Sequence, residues 1–218
     1  MDSKAEIDGS SHDGSQMSQG PDSKSFGLAE EDVLRADVYR LLARFLAHPP
    51  SQEDLKIVAD TNGDETAFGK AANIFAKLCR QSDTETVRQE YHELFIGVGR
   101  GELVPYASFY LTGFLNEKPL AKLRNDMADL GIEKAGENKD PEDHIAALFE
   151  IMAGLILGDY GKPADLAVQK QFYENHIERW VNHFMADLKA AKSSVLYASL
   201  AEVGTQFMAI EETAFSMS

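Results

Sequence analysis

The chain has 218 residues, 44% of them hydrophobic, enough for one compact domain or two small halves around a shared core. Against 21 Lys and Arg stand 36 Asp and Glu, a formal net charge of -15. That excludes nucleic acid, whose phosphates need clustered cations, and argues against an anionic membrane surface. An acidic field instead attracts basic partners and speeds their encounter.

The single cysteine, Cys79, rules out an internal disulfide and a multi-cysteine zinc site, and its place after the apolar run Ala72–Leu78 predicts a packed thiol. No segment approaches 18 uninterrupted apolar residues; Ile145–Leu157 stops short and carries Glu150. The first residues hold neither the basic nor the apolar region of a secretory signal. A cytoplasmic protein without stable membrane insertion is expected.

In chain order, residues 1–26 are rich in Ser, Asp, Gly and Gln and predict a disordered tail. Leu34, Val38, Leu41, Leu42 and Phe45 then recur at helical spacing, up to His48-Pro49-Pro50. Ser51 followed by Asp54 resembles a capping box for a second helix. Phe68, Ala71, Ala72, Phe75 and Leu78 mark a third; Val87, Tyr91, Leu94 and Phe95 mark a fourth, entered through Asp83 or Thr84. The stretch from Gly97 to Tyr106, with glycines at 97, 99 and 101 and Pro105, cannot continue a helix.

Helical spacing resumes near Ser108 and again after Pro119, with Leu120, Leu123, Met127 and Leu130. Residues 131–140 are polar and predict a linker. Asp140-Pro141-Glu142-Asp143 predicts a helix start, with Asp140 as the cap and Pro141 at the first helical position. The helix from Pro141 to Leu157 is apolar on most of its circumference and belongs in the centre of a bundle. A longer helix carries Tyr173, Ile177, Trp180, Phe184 and Leu188 on one face, and a last one spans about residues 194–214. With no period-2 strand and no repeat, the fold class is all-α: a bundle of about eight to ten helices. One domain over 27–214 is expected, its halves 27–130 and 141–214 joined by the linker.

The chemistry-bearing constellations point away from catalysis. No His has a Glu three residues before it, His92-Glu93 opens no His-Glu-x-x-His motif, and His176 and His183 lack a carboxylate at ligand spacing, so no metal or other cofactor is expected. Gly97-x-Gly99-x-Gly101 follows a helix and lacks the Lys-Ser/Thr of a phosphate loop, which favours a sharp reversal over a nucleotide site. Cys79 has no local base and no Gly-x-Ser-x-Gly elbow is present. Glu142-Asp143-His144 has acid–base character, but consecutive side chains fan out around a helix start. The opposed effects of Asp143 and the helix dipole on His144 cannot be summed from sequence. Tyr106, Phe109 and Tyr110 crowd a short turn beside the glycine loop, so at least one should stay at the surface, where a groove could receive a partner.

Three segments in this order are familiar: Tyr91-His92-Glu93-Leu94-Phe95-Ile96-Gly97 running into Pro105-Tyr106-Ala107-Ser108-Phe109-Tyr110, then Asp140-Pro141-Glu142-Asp143-His144, then Phe172-Tyr173-Glu174-Asn175-His176-Ile177-Glu178-Arg179-Trp180. Together they resemble the TorD/DmsD/NarJ family of cytoplasmic redox-enzyme maturation chaperones, over roughly residues 28–214. The resemblance implies an all-helical chaperone, not an enzyme, that binds the immature catalytic subunit of a molybdopterin oxidoreductase through its twin-arginine signal peptide. It would hold targeting back until the cofactor is inserted.

The family's Glu-Pro-x-Asp-His motif falls on Asp140–His144, with Asp140 in place of Glu, and gives Asp143 and His144 a recognition role; Glu142 beside them would supply a further carboxylate for the dicationic end of such a signal. Its aromatic segment, often Trp-bearing, falls on Pro105, Tyr106, Ser108 and Tyr110, here with tyrosines. The stretch Tyr91–Leu103 is most similar to the branch accompanying formate dehydrogenases. Two alternatives stay open: a nucleotide-binding or hydrolysing protein using Gly97–Gly101 with Asp143 and His144, and a permanent assembly subunit of a redox complex. A monomer and a dimer swapped through the 131–140 linker are both compatible with the sequence.

Overall fold

The structure, a computed structural model, describes residues 27–133 and 140–217. The tail expected over 1–26 and the middle of the expected linker, 134–139, lie outside the described residues. The described residues form ten α-helices: α1 (Glu30–Ala47), α2 (Gln52–Ala59), α3 (Ala67–Gln81), α4 (Thr84–Tyr91), α5 (Ala107–Thr112), α6 (Lys118–Asp129), α7 (Ile145–Leu157), α8 (Leu166–His176), α9 (Glu178–Ala190) and α10 (Leu196–Ser216). A π-turn, His92–Ile96, extends α4. The fold is all-α, and the only extended pairing among the described residues is one antiparallel bridge between Tyr106 and His144.

Local chemistry sets most boundaries as expected. The Ser51 hydroxyl and Asp54 carboxylate form the reciprocal capping box of α2, while Thr66 and Asp83 cap α3 and α4. Cys79 is buried, and burial pushes its thiol up to about 12, the state of an inert packed sulfur. The glycine loop folds back on its own backbone: Leu103 donates to Leu94 O at 2.8 Å, and a Cβ on Gly101 would overlap the backbone of Leu94 and Phe95. Gly97, at φ 60°, makes the reversal.

Three expectations need correction. First, α7 begins at Ile145, not Pro141, and its cap is His144, whose Nδ1 accepts from Ala146 N at 3.2 Å. Asp140–Asp143 form the turn before it, because His144 is drawn into extended pairing with Tyr106. Second, the face Tyr173–Leu188 is shared between two helices that meet at Ile177, with φ -118°. All five of its side chains are buried nonetheless. Third, the buried face of α1 is turned past the predicted stripe: Leu42 and Phe45 are buried and Val38 and Leu41 pack against the core as expected, but Ala36, Tyr39, Ala43 and Leu46 are buried too, whereas Leu34 is 58% exposed.

The rotation follows from the partner. Helix α1 packs lengthwise on α7, whose Ile145, Leu148, Phe149, Met152 and Ala153 are all fully buried. Small Ala36 and Ala43 fit this close contact and let Tyr39 reach Phe149 (5.6 Å between centroids) and Phe207 (4.8 Å). Helix α10 packs against α3 and α9, so one core cluster runs through early and late segments alike.

Candidate functional site

The two motifs singled out on either side of the expected linker meet in space. Ala107 N donates to Asp143 O and Ile145 N donates to Pro105 O, each at 2.9 Å, strapping the segment before α5 to the start of α7. Pro105 and Ser108 are buried within the strap. Asp143, 1% exposed, turns inward and accepts from Ser108 N at 2.8 Å. Its Oδ1 and the Ser108 hydroxyl have no hydrogen-bond partner among the described residues. An inward carboxylate of this kind orders the strap rather than offering charge to the surface.

His144 and Tyr106 face each other edge-on, 4.9 Å between ring centroids. Burial raises the Tyr106 hydroxyl to about 12, with Asp140 and Asp143 adding to the effect and Asp140 accepting its hydrogen bond. Burial also lowers His144 to about 4, overriding the opposite pull of Asp140 and Asp143, so its ring is neutral at pH 7. The balance left open by the sequence is thus settled by desolvation.

A pH dependence follows. Between about 6.5 and about 4 the unfolded chain binds a proton at this position and the fold does not, so stability falls as pH falls through that window. His144→Asn is expected to flatten that part of a urea-unfolding profile by roughly 2 kcal/mol between pH 7 and pH 4. A variant whose acid limb parallels the parent would refute it.

The remaining expected residues part company. Tyr110 leaves the strap for α9, packing on Trp180 (5.2 Å) and Phe184 (5.9 Å) with its hydroxyl donating to Asp187 at 3.0 Å. Phe109 lies under the Arg100 guanidinium at 5.0 Å. Tyr106, Phe109 and Tyr110 are each half-buried. Glu142 lies outside the strap, with the Arg124 Nε and Nη2 donating to its Oε2 at 2.9 and 2.8 Å.

Beside the strap lies a cavity of about 310 Å³. Its floor is apolar, from Met127, Ile132, Ala147 and Ile151, with Tyr160 and His144 at the sides. Four carboxylates line it: Glu133, Asp140, Glu142 and Glu150. No lysine or arginine lines it among the described residues. Burial raises the Glu150 carboxyl, against the opposing pull of Arg40, as expected of an acid held against apolar walls.

Sequence reasoning had not selected Glu133, Glu150, Met127, Ile151 or Tyr160. One signal was available: Glu150 is the single charge in the otherwise apolar Ile145–Leu157. Among the described residues there is no group of three or more His, Cys, Asp or Glu able to hold a metal, and no helix long and apolar enough to cross a membrane.

Fold and cleft together define an all-helical domain with an acidic, apolar-floored cavity where its two signature segments join. Residues 61–186 match the family model described as nitrate reductase delta subunit, and the chain belongs to this family, the TorD-like group. It is 24% identical over 198 residues to the chaperone protein TorD of Vibrio parahaemolyticus, covering 81% of this chain and 92% of the relative. Identity to the chaperone protein TorD of Photobacterium profundum is 26% over 191 residues, 76% of this chain and 86% of the relative. Among solved structures, a protein from Archaeoglobus fulgidus described as a redox enzyme maturation protein shares the fold, with a TM-score of 0.55 and 19% identity over 80% of this chain and 93% of that one.

Proposed function

We propose that the protein is a cytoplasmic, system-specific maturation chaperone whose acidic cavity holds the twin-arginine signal peptide of an immature molybdopterin oxidoreductase until its cofactor is in place. The observation that carries this reading is the convergence of Glu133, Asp140, Glu142 and Glu150 on an apolar floor. A segment with two adjacent guanidinium groups followed by apolar side chains needs those two surfaces side by side. The names of its relatives support the class of protein. Within that class, the resemblance of residues 91–103 to the formate dehydrogenase-associated branch makes that enzyme the proposed client.

Roles divide by geometry. Glu142 and His144 border the cavity and contact the peptide, whereas Pro105, Tyr106, Ser108 and Asp143 position the strap that holds them. Tyr110, packed on α9, extends the proposed contact face away from the cavity. No catalysis, cofactor or nucleic acid enters this proposal. A nucleotide is disfavoured at the cavity, since four carboxylates repel a polyphosphate.

The test is calorimetric titration of a synthetic peptide with two adjacent arginines followed by a leucine–alanine stretch. Glu150→Gln is expected to weaken binding about three- to tenfold. Asp143→Ala is expected to weaken it through loss of the strap while helical content is kept. Equal affinity for the arginine peptide and a control with two glutamines in their place would sink the proposal.

A further inference from the structure

Glu142 carries its own arginine. The Arg124 guanidinium, from α6, places both Nε and Nη2 on Glu142 Oε2, at 2.9 and 2.8 Å. The Glu142 side chain is only 12% exposed while that of Arg124 is 55% exposed, so the acid is fixed in the wall and the base reaches it from outside. One turn further along α6, Met127 forms part of the cavity floor, which puts Arg124 at the margin of the cavity. A comparable arrangement stands near Glu150: Arg40 pairs with Asp159 at 2.7 Å, and its charge is also felt at Glu150.

We propose that Arg124 is a built-in competitor, an intramolecular guanidinium that occupies Glu142 until a client arginine displaces it, and so sets the affinity and release of the peptide. The proposal rests on the reading of the cavity as a peptide site. The chemistry of the exchange is symmetric: one guanidinium–carboxylate pair is broken and one is formed, so the charge-assisted hydrogen bonds nearly cancel. Affinity then comes from the apolar floor and the remaining acids, and selectivity from requiring a group that can replace a guanidinium. A lysine offers no fork to match Nε and Nη2. Because Arg124 is half-exposed, its displacement into water costs little, as expected of a contact meant to open.

The arrangement makes a prediction opposite to that of an ordinary structural ion pair. Removing Arg124 should tighten binding while slightly lowering thermal stability; a merely structural pair would lower both. We would titrate the same two-arginine peptide into the parent, Arg124→Gln, Arg124→Lys, Glu142→Gln and the double variant Arg124→Gln/Glu142→Gln. Arg124→Gln is expected to bind about three- to tenfold tighter. Arg124→Lys should fall between it and the parent, and the double variant should match Glu142→Gln. If the parent binds and Arg124→Gln is unchanged or weaker, the competitor role is overturned and the peptide site stands. Failure of the parent and all variants to bind overturns both.

Discussion

Replacing Glu211 with alanine is expected to cost the fold about 3–5 kcal/mol and to lower the melting temperature by roughly 10 °C. Glu211 on α10 is completely buried and accepts from Arg35 Nε at 2.7 Å and Nη2 at 2.9 Å, and from the Tyr39 hydroxyl at 3.0 Å. Alanine would leave the Arg35 guanidinium, its side chain 16% exposed, with Asp32 at 2.8 Å as its one remaining carboxylate contact among the described residues and the Phe215 ring 5.6 Å away. Tyr39 would keep a buried hydroxyl without its acceptor.

The cost is thus the price of an uncompensated charge, not the net worth of the pair. Two companions separate these. Tyr39→Phe removes only a hydroxyl and is expected to cost about 1 kcal/mol. Arg35→Met combined with Glu211→Leu replaces the pair by apolar groups and should recover most of the loss. Urea unfolding of the four proteins checks the series; a Glu211→Ala midpoint equal to the parent's would contradict it.

Glu90→Ala is expected to cost about 2–4 kcal/mol by uncapping α10 from a distance. The 21-residue α10 starts at Leu196 without a side-chain cap of its own; its N-cap residue is Val195, which has no acceptor to offer. Glu90 on α4 accepts instead from Val195 N at 2.7 Å, Leu196 N at 3.1 Å and Tyr197 N at 2.8 Å. A negative group at the positive end of a long helix adds to those bonds. Glu102, from the far side of the glycine loop, accepts from Lys192 N at 2.8 Å and Ser193 N at 3.3 Å, holding the approach to the same helix. Glu90→Gln keeps an acceptor without the charge and should cost about half as much. Hydrogen exchange would localise the effect: the amides of residues 195–197 should lose protection before those of α7. Uniform loss across the fold would mean that Glu90 acts on the core rather than on the helix start.

These two acids show where the sequence was legible and where it was not. Ser51 with Asp54, Thr66 and Asp83 cap helices a few residues away, so their roles follow from adjacent chemistry. Glu90 caps residues more than a hundred positions later, and Glu211 meets Arg35 across 176 positions. No local spacing encodes either meeting.

The same division holds at the candidate site. The segments around Pro105–Tyr110 and Asp140–His144 were both identifiable from residue type, and the bridge between Tyr106 and His144 joins them. Asp140-Pro141 nevertheless signalled a helix start four residues too early, because tertiary pairing overrode a sound local cap. Tyr110 belongs to the same motif as Tyr106, yet packs on Trp180 instead.

The all-helical class, most helix positions, the fold-back of the glycine loop and the family are legible in the residues alone, because helical periodicity, capping and ordered motifs are written locally. Packing alone sets which face of α1 turns inward, how Asp143 is buried, and the convergence of Glu133, Glu142 and Glu150 on one cavity. A helix as apolar all round as α7 carries little directional information in its own pattern. The neighbours that fix its orientation are α1, about a hundred residues earlier, and α8, and the cleft exists only once they have packed.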